Sequence, residues 1–349
     1  MQYFCRLMRA HPRDVTHSHA MSRRAFVGGA TVALLAAPGV ILAQPARKVA
    51  RIGVLGLTAT AEMIGPQPKS RSAEAFLRGL RELGYVYGEH FVTEPRGAEA
   101  KPERFPALVA DLIRLRVDVI VAAGPAHAAL KQATSTIPVV MAASSDPIAQ
   151  GLAQSLGRPG GNFTGLSFQS VETTGKRLEL LKELVPGAAI VAVLWSPSNL
   201  PNWQAAEAAA RQQRWKLLSI EIHDAGEIEG AFKTATTARA GALLVYAAGI
   251  LYPHARRVAE LAARNRLPAL YELRQYVEAG GLISYGAEIN DIWQRAASFV
   301  DKILKGARAG DLPIEQPSEF ELVINLKAAQ ALGLTIPPSL RLRADEILQ

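Results

Sequence analysis

Four short polar segments, each following an apolar strand-like run, contain residue types that bind small polar solutes. The segments are 58–60, 123–126, 144–147 and 196–199, and three of them are rich in serine or threonine. The remaining one, Ala123-Gly124-Pro125-Ala126, opens a helix whose free backbone N–H groups can receive an anion. Ligands of open α/β sheets bind outside the carboxyl ends of the strands, so these segments are candidates for one shared cleft.

Three aromatic residues end strand-like runs and would cover the apolar part of a ligand. With them, the candidate ligand-binding residues are Thr58, Gly124, Pro125, Ala126, Ser144, Ser145, Asp146, Trp195, Ser196, Asn199, Tyr246 and Tyr271. A plainer interpretation stays open for each residue taken alone. Asp146 before Pro147, and Ser198 or Asn199 before a helix, are good helix N-caps. An aromatic ring at the end of a strand is more often part of the core.

Several motifs of catalytic or cofactor-binding sites occur in part, each without a residue that it requires. Gly165-Leu166-Ser167-Phe168-Gln169 has glutamine where the sharp turn of a serine hydrolase needs glycine. Arg177 follows Gly175-Lys176 in place of the hydroxyl residue that binds magnesium in a phosphate loop, and Ser170 replaces that loop's first glycine. Residues 53–58 lack the third glycine of a dinucleotide fingerprint. The sequence therefore favours a protein that is not an enzyme and holds no cofactor.

Metal and nucleic-acid partners are not expected either. The four histidines after residue 43 are scattered, and Cys5 is the sole cysteine, so zinc-type ligand spacing and disulfides are missing. The formal charge is +8, from 39 basic and 31 acidic residues. Residues 1–43 hold five of the arginines and one acid, which leaves 34 basic and 30 acidic residues without a run of like charge.

The N-terminal segment has the pattern of an export signal. Ser22-Arg23-Arg24-Ala25-Phe26 precedes an uncharged apolar stretch that ends at Leu42-Ala43, which predicts cleavage after Ala43. The paired arginines resemble a twin-arginine signal. Residues 1–20 add nothing to such a signal, so either Met1 or Met21 starts the protein. We expect a soluble, exported, periplasmic protein without a lipid anchor.

After residue 43, short apolar runs alternate with helical patterns in two successive series. Strands are predicted to start the two series at Ile52–Leu55 and Val191–Leu194. Short strands that are apolar on both faces are typical of parallel sheets covered by helices, so the chain reads as two α/β lobes. The predicted division is an N-terminal lobe at 44–166, a C-terminal lobe at 167–285, and a segment at 286–349 that returns across a multi-crossover hinge and packs on both lobes.

Long stretches of the tail resemble the substrate-binding proteins of ABC transporters, in the group related to tryptophan- and tyrosine-binding proteins. The resemblance covers essentially the whole chain. The stretches that carry it are 261–271, 276–286, 300–307, 311–317, 320–327 and 331–338, together with Asn162-Phe163-Thr164-Gly165.

The resemblance implies a type I periplasmic-binding fold, with two Rossmann-like lobes, three crossovers and a ligand in the cleft. The family's ligand loops match Thr58, Gly124–Ala126, Ser144–Asp146 and Ser196–Asn199. The implied partners are a small-molecule ligand and a permease in the inner membrane, with the binding protein itself a monomer.

One departure from the family's pattern bears on the ligand. Related sequences usually place Asp-Pro after the strand that matches Leu243–Tyr246, where this chain has Ala247-Ala248-Gly249-Ile250-Leu251. An acid there would pair with a ligand ammonium group, so an amino acid, another carboxylate and a less polar aromatic compound all stay open as ligands. A sensor domain that signals to a membrane receptor, and an exported α/β enzyme, are the alternative functions.

Overall fold

The first of two sheets is fully parallel, with strand order β2-β1-β3-β4-β5. A computed structural model describes residues 48–57, 61–99, 101–213 and 215–349; the predicted export signal and Thr58 lie outside these ranges. The strands of this sheet are β1 (Ala50–Gly56), β2 (Phe91–Gly97), β3 (Val119–Ala123), β4 (Val139–Ser144) and β5 (Phe163–Ser167). Side chains of β3 alternate between two buried clusters, one on each face of the sheet. This explains the continuous apolar runs, because both faces are covered.

The second sheet has seven strands in the order β12-β11-β10-β9-β8-β6-β7. Its pairs are parallel except for β10 with β11, which run antiparallel. The strands are β6 (Ile190–Trp195), β7 (Lys216–Glu221), β8 (Ala242–Val245), β9 (Ala269–Tyr271), β10 (Ile283–Gly286), β11 (Glu321–Asn325) and β12 (Glu346–Leu348). Two buried clusters again lie on opposite faces of this sheet.

Helices cover both faces of each sheet. They are α1 (Ala61–Ile64), α2 (Arg71–Glu82), α3 (Phe105–Arg114), α4 (Ala126–Ala133), α5 (Thr174–Leu184), α6 (Leu200–Gln213), α7 (Ile228–Thr237), α8 (Ala255–Arg264), α9 (Arg274–Glu278), α10 (Ile289–Leu304), α11 (Leu326–Ala331) and α12 (Pro338–Arg343). The predicted fold class, α/β with parallel sheets in two lobes, is confirmed. Helices α1, α9 and α12 and strand β12 were not predicted from the sequence.

The chain passes between the two sheets three times. It leaves the first sheet after β5, comes back after β10 when α10 packs against α2, and leaves again when β11 and β12 join the second sheet. The contact between α10 and α2 is close, since a Cβ on Gly79 would lie 2.5 Å from the carbonyl oxygen of Gln294. Three passages produce the kind of connection that a hinge between lobes requires. The domain boundaries drawn from the sequence stay a prediction.

Candidate functional site

The carboxyl ends of the two sheets lie against each other. Gly249, in the loop that follows β8, contacts Leu57 after β1 and Pro125 after β3: a Cβ on Gly249 would lie 2.5 Å from Leu57 Cδ1 and 3.4 Å from Pro125 Cδ. The lobes also meet where Arg71 Nη1 of α2 lies 3.2 Å from Glu278 Oε2 of α9. Two of the loops predicted to bind ligand, those after β1 and β3, therefore meet the loop after β8 at one interface between the lobes.

In the first lobe, the loop between β3 and α4 keeps an open side. Gly124 is exposed, with φ at +62°, a backbone conformation that favours glycine. A Cβ on Gly124 would have no atom within 4 Å, so the space beside this backbone is open. Pro125 caps α4 and Ala126 begins it as a fully buried residue. This arrangement places the start of a helix at the interface, where the N–H groups of a first turn favour an anion, although that of His127 donates to the Gly124 carbonyl oxygen at 3.3 Å.

Polar side chains of the loop after β4 form hydrogen bonds with other groups of the same loop. The Ser144 hydroxyl donates to Gln150 Oε1 at 3.2 Å, and Gln150 Nε2 donates to Ser145 Oγ at 3.0 Å. Asp146 Oδ1 accepts the backbone N–H groups of Ile148 and Ala149 at 3.0 and 2.9 Å. Asp146 therefore caps the turn, which is the plainer of the two interpretations given from the sequence. The Ser145 hydroxyl accepts one hydrogen bond and can still donate its own proton.

In the second lobe, Ser196 and Asn199 also serve the local structure. They form a reciprocal capping box at the start of the helical segment that leads into α6. Asn199 Nδ2 also donates to the carbonyl oxygen of Ala247 at 3.1 Å, which joins the loop after β6 to the loop after β8. This bond positions the loop that contacts the first lobe.

The three aromatic candidates lie in the core, and their interpretation as walls of a cleft loses its support. Trp195 is 5% exposed, stacks on Trp203 with ring centroids 5.9 Å apart, and donates from Nε1 to Ser219. Tyr246 and Tyr271 are fully buried, since their side chains point into the helix layers and not along the strand axis. Burial raises the pKa of both tyrosines, because the phenolate would lose its hydration.

Sequence reasoning missed a buried polar cluster that joins several of these segments. Arg177 of α5 and Glu272, directly after β9, form an ion pair with Nη2 and Oε1 2.8 Å apart, and both side chains are at most 3% exposed. Ser170 donates to the same carboxylate oxygen, and Glu272 Oε2 accepts the backbone N–H of Ala247 at 2.7 Å. The one signal in the sequence was a charged residue directly after the buried strand 269–271.

Comparisons with known proteins agree with this geometry. The model of a family described as ABC transporter substrate binding protein matches residues 63–348. The chain belongs to this family. A tyrosine-binding protein of Clostridioides difficile is 25% identical over 282 residues, which cover 79% of each chain.

Solved structures give the same result for this substrate-binding chain. The structure of an ABC domain in complex with L-Trp from Streptococcus pneumoniae is 26% identical, with a TM-score of 0.76; 86% of this chain and 100% of that chain are covered. A conserved domain protein from Vibrio cholerae is 25% identical, with a TM-score of 0.79 and the same coverage. Solute-binding proteins of lower identity share the fold, which is the type I periplasmic-binding fold. In the described part of the chain, no helix combines the length and apolarity needed to cross a bilayer.

One titratable group of this substrate-binding protein lies directly beside the Gly124–Ala126 loop. His127 is 2% exposed, and its Nε2 lies 3.0 Å from the carbonyl oxygen of Ala122. Burial lowers its pKa from 6.5 to about 4, because the imidazolium form would lose its hydration. The neutral ring is therefore the form that the fold accommodates.

This burial predicts a pH dependence of stability. The folded pKa lies below the unfolded one, so the stability from neutral His127 is fully present above about pH 6.5 and falls as the pH drops towards 4, by about 3 kcal/mol in total. Urea unfolding at several pH values should show the loss in the wild type and a shallower dependence in His127→Gln. His223→Gln, the same substitution at an exposed histidine, supplies the control. Equal slopes for His127→Gln and the wild type would contradict a buried neutral ring.

Proposed function

We propose that the protein is the exported solute-binding component of an ABC import system, which takes a small molecule between its lobes and delivers it to a permease in the inner membrane. The observation that carries this proposal is the contact of Gly249 with Leu57 and Pro125, because it brings loops of both lobes to a single interface. Export to the periplasm is inferred from the paired arginines and apolar stretch of the N-terminal segment.

Closure of the hinge is the physical mechanism. A ligand shifts an equilibrium between open and closed lobes only by the difference in its affinity for the two states. Contacts from both lobes supply this difference, because they are made together only when the lobes close. The chain needs no catalytic group for this task, and the solute leaves chemically unchanged.

We propose an aromatic amino acid as the ligand class. The two relatives named for tyrosine and L-Trp support it. In this proposal the Gly124–Ala126 backbone and the Ser145 hydroxyl would hold the ligand carboxylate, since N–H and O–H donors offset its lost hydration. Glu272 does not take the role of the acid that relatives have after β8, which would bind a ligand ammonium group. Its two carboxylate oxygens already accept hydrogen bonds from Arg177, Ser170 and Ala247. Hydroxyl and carbonyl oxygens would then receive the ammonium group.

A thermal-shift screen tests this function. L-tryptophan, L-tyrosine and L-phenylalanine should each be compared with L-leucine and with indole-3-acetate, which lacks the ammonium group. Ligand at 100 times its dissociation constant stabilises the folded state by about 2.7 kcal/mol, which raises Tm by about 4 °C for a chain of this size. A shift with indole-3-acetate alone would support a carboxylate ligand instead. No shift with any compound would contradict the proposed ligand classes.

A further inference from the structure

Arg177 joins the first segment through which the chain passes between the lobes to the strand that leads into the second. Its Nη1 donates to the carbonyl oxygen of Ser170 at 2.9 Å, in the first crossing segment, which follows β5. Its Nε donates to the carbonyl oxygen of Tyr285 at 2.9 Å, in β10, just before the second crossing segment. The guanidinium is 1% exposed, and its planar fork holds both carbonyl groups at fixed positions.

Glu272 connects this guanidinium to the loop that contacts the first lobe. One carboxylate oxygen accepts from Arg177 and Ser170, and the other accepts from the backbone N–H of Ala247. Two residues later, Gly249 lies against Leu57 and Pro125. The last residue of β10, from which the second crossing segment starts, also lies close to this point, since a Cβ on Gly286 would overlap with the Glu272 carbonyl oxygen.

The first crossing segment also touches the cores of both lobes. Phe168 packs against the buried cluster under α2 and α10 in the first lobe and against the cluster under α7 and α8 in the second. A change in the position of Ser170 therefore moves a residue shared by both lobes. The segment is held at this place by Arg177, by Glu272 and by Asn202, which donates to Ser170 Oγ at 2.5 Å.

Folding stability alone does not account for a fully buried ion pair. Desolvation of the two charges offsets much of their attraction, and apolar residues of similar volume often stabilise a fold equally well. The bonds of this pair are directed to backbone groups of the crossing segments and of the Ala247 loop, and they lock relative positions that apolar packing leaves adjustable. Such a pair serves to specify one arrangement of segments.

We propose that Arg177 and Glu272 form a hinge clamp, a pair of positioning residues that fixes the crossing segments against the Ala247–Leu251 loop and so sets the lobe orientation in which ligand binds. This inference rests on the proposed function for its effect on affinity. The hinge clamp itself touches no ligand. It acts through the orientation of the loop and the two crossing segments.

Glu272→Gln is the variant that tests the hinge clamp with the smallest change of shape. A carboxylate accepts at both oxygens, whereas an amide accepts at one end and donates at the other. In Glu272→Gln, the NH₂ group must therefore face either the Arg177 guanidinium or the Ala247 N–H. The matched control is Glu229→Gln, which removes the same charge from the exposed pair of Glu229 with Arg257.

The distance between the lobes is the readout for the hinge clamp. If Glu272 only stabilised its own lobe, its substitution would leave this distance unchanged. Spin labels on Arg114→Cys in α3 and Lys233→Cys in α7, both exposed positions, report this distance in a full-length chain carrying Cys5→Ser. Without ligand, Glu272→Gln should broaden the distance distribution, while Glu229→Gln should keep the wild-type distribution. With L-tryptophan as the probe, the dissociation constant of Glu272→Gln should rise about tenfold.

The outcomes separate the hinge clamp from the proposed function. Wild-type distances in a folded Glu272→Gln variant would overturn the hinge clamp, whatever the ligand does. Absence of tryptophan binding by the wild type would count against the proposed ligand and leave the label distances as the test of the clamp. Should Glu272→Gln not fold, Arg177→Lys, which keeps the charge and loses the fork, should broaden the same distribution; an unbroadened distribution would overturn the proposal.

Discussion

Replacement of Gly249 by leucine is expected to weaken ligand binding on the order of 100-fold, because it hinders closure without disturbing either lobe. The wild-type glycine leaves no room for a leucine side chain against Leu57 and Pro125 when the lobes are in contact. Gly249 does not have a positive φ, so leucine introduces no backbone strain. Leucine carries three carbons beyond Cβ, and the lobes must stay apart to accommodate them.

A graded series and a matched control define this test. Gly249→Ala should have a small effect, since the tip of the flexible Leu57 side chain can move aside. Gly230→Leu is the control, because Gly230 is an exposed residue of α7 with no atom within 4 Å of a new Cβ. Binding of L-tryptophan is followed by calorimetry and stability by urea unfolding. An unchanged dissociation constant in Gly249→Leu would contradict closure at this contact.

Replacement of Gly165 by alanine is expected to cost about 3–5 kcal/mol of folding free energy, within the range of severe core substitutions. Gly165 lies in β5 with φ at +122°, a region that other residues rarely adopt. A Cβ there would also lie 2.6 Å from the backbone nitrogen of Met141 in β4. Neither backbone can move without breaking the pairing of β4 with β5.

Urea unfolding measures this loss directly. Gly175→Ala is the control, because Gly175 lies in the first turn of α5 with open space beside it, and alanine there should stabilise the fold by up to about 1 kcal/mol. A Gly165→Ala variant as stable as the wild type would show that β4 and β5 are not packed as closely as described.

The surroundings of Gly165 also explain the residues that precede it in the chain. In Asn162-Phe163-Thr164-Gly165, Asn162 Nδ2 donates to the carbonyl oxygen of Ile137 at 2.8 Å, and Thr164 donates to that of Leu312 at 2.8 Å. These bonds attach β5 to the loop between α4 and β4 and to the last crossing segment. The types of residue were visible in the sequence, but their partners lie 25 and 148 positions away.

The fold was predictable because the relevant pattern is local. Short apolar runs between helical patterns give parallel strands covered on both faces, and the two strands predicted to start the lobes, Ile52–Leu55 and Val191–Leu194, lie within β1 and β6. The end of a strand is less apparent in the sequence: β2 includes Pro95, which usually ends a strand, because at the edge of the sheet a missing N–H is tolerated.

The candidate site was predictable as a set of loops and less so as a set of side chains. Loop positions follow from strand ends, so Gly124–Ala126 and Ser144–Asp146 lie where the sequence placed them, at the ends of β3 and β4. Whether a hydroxyl or carboxylate is free depends on neighbours, and Asp146 and Asn199 are engaged in capping. The pairing of Arg177 with Glu272 joins residues 95 positions apart and has no local signature.

Binding of an unaltered solute between the lobes is tested most directly by isothermal titration of the purified protein with L-tryptophan and L-tyrosine, followed by mass analysis of the recovered compound. The expected result is one saturable event with one molecule bound per chain and a recovered solute of unchanged mass. Two results would contradict binding of an unaltered solute. One is the absence of saturable heat with either compound when the protein unfolds cooperatively, and the other is a solute recovered as a different chemical species.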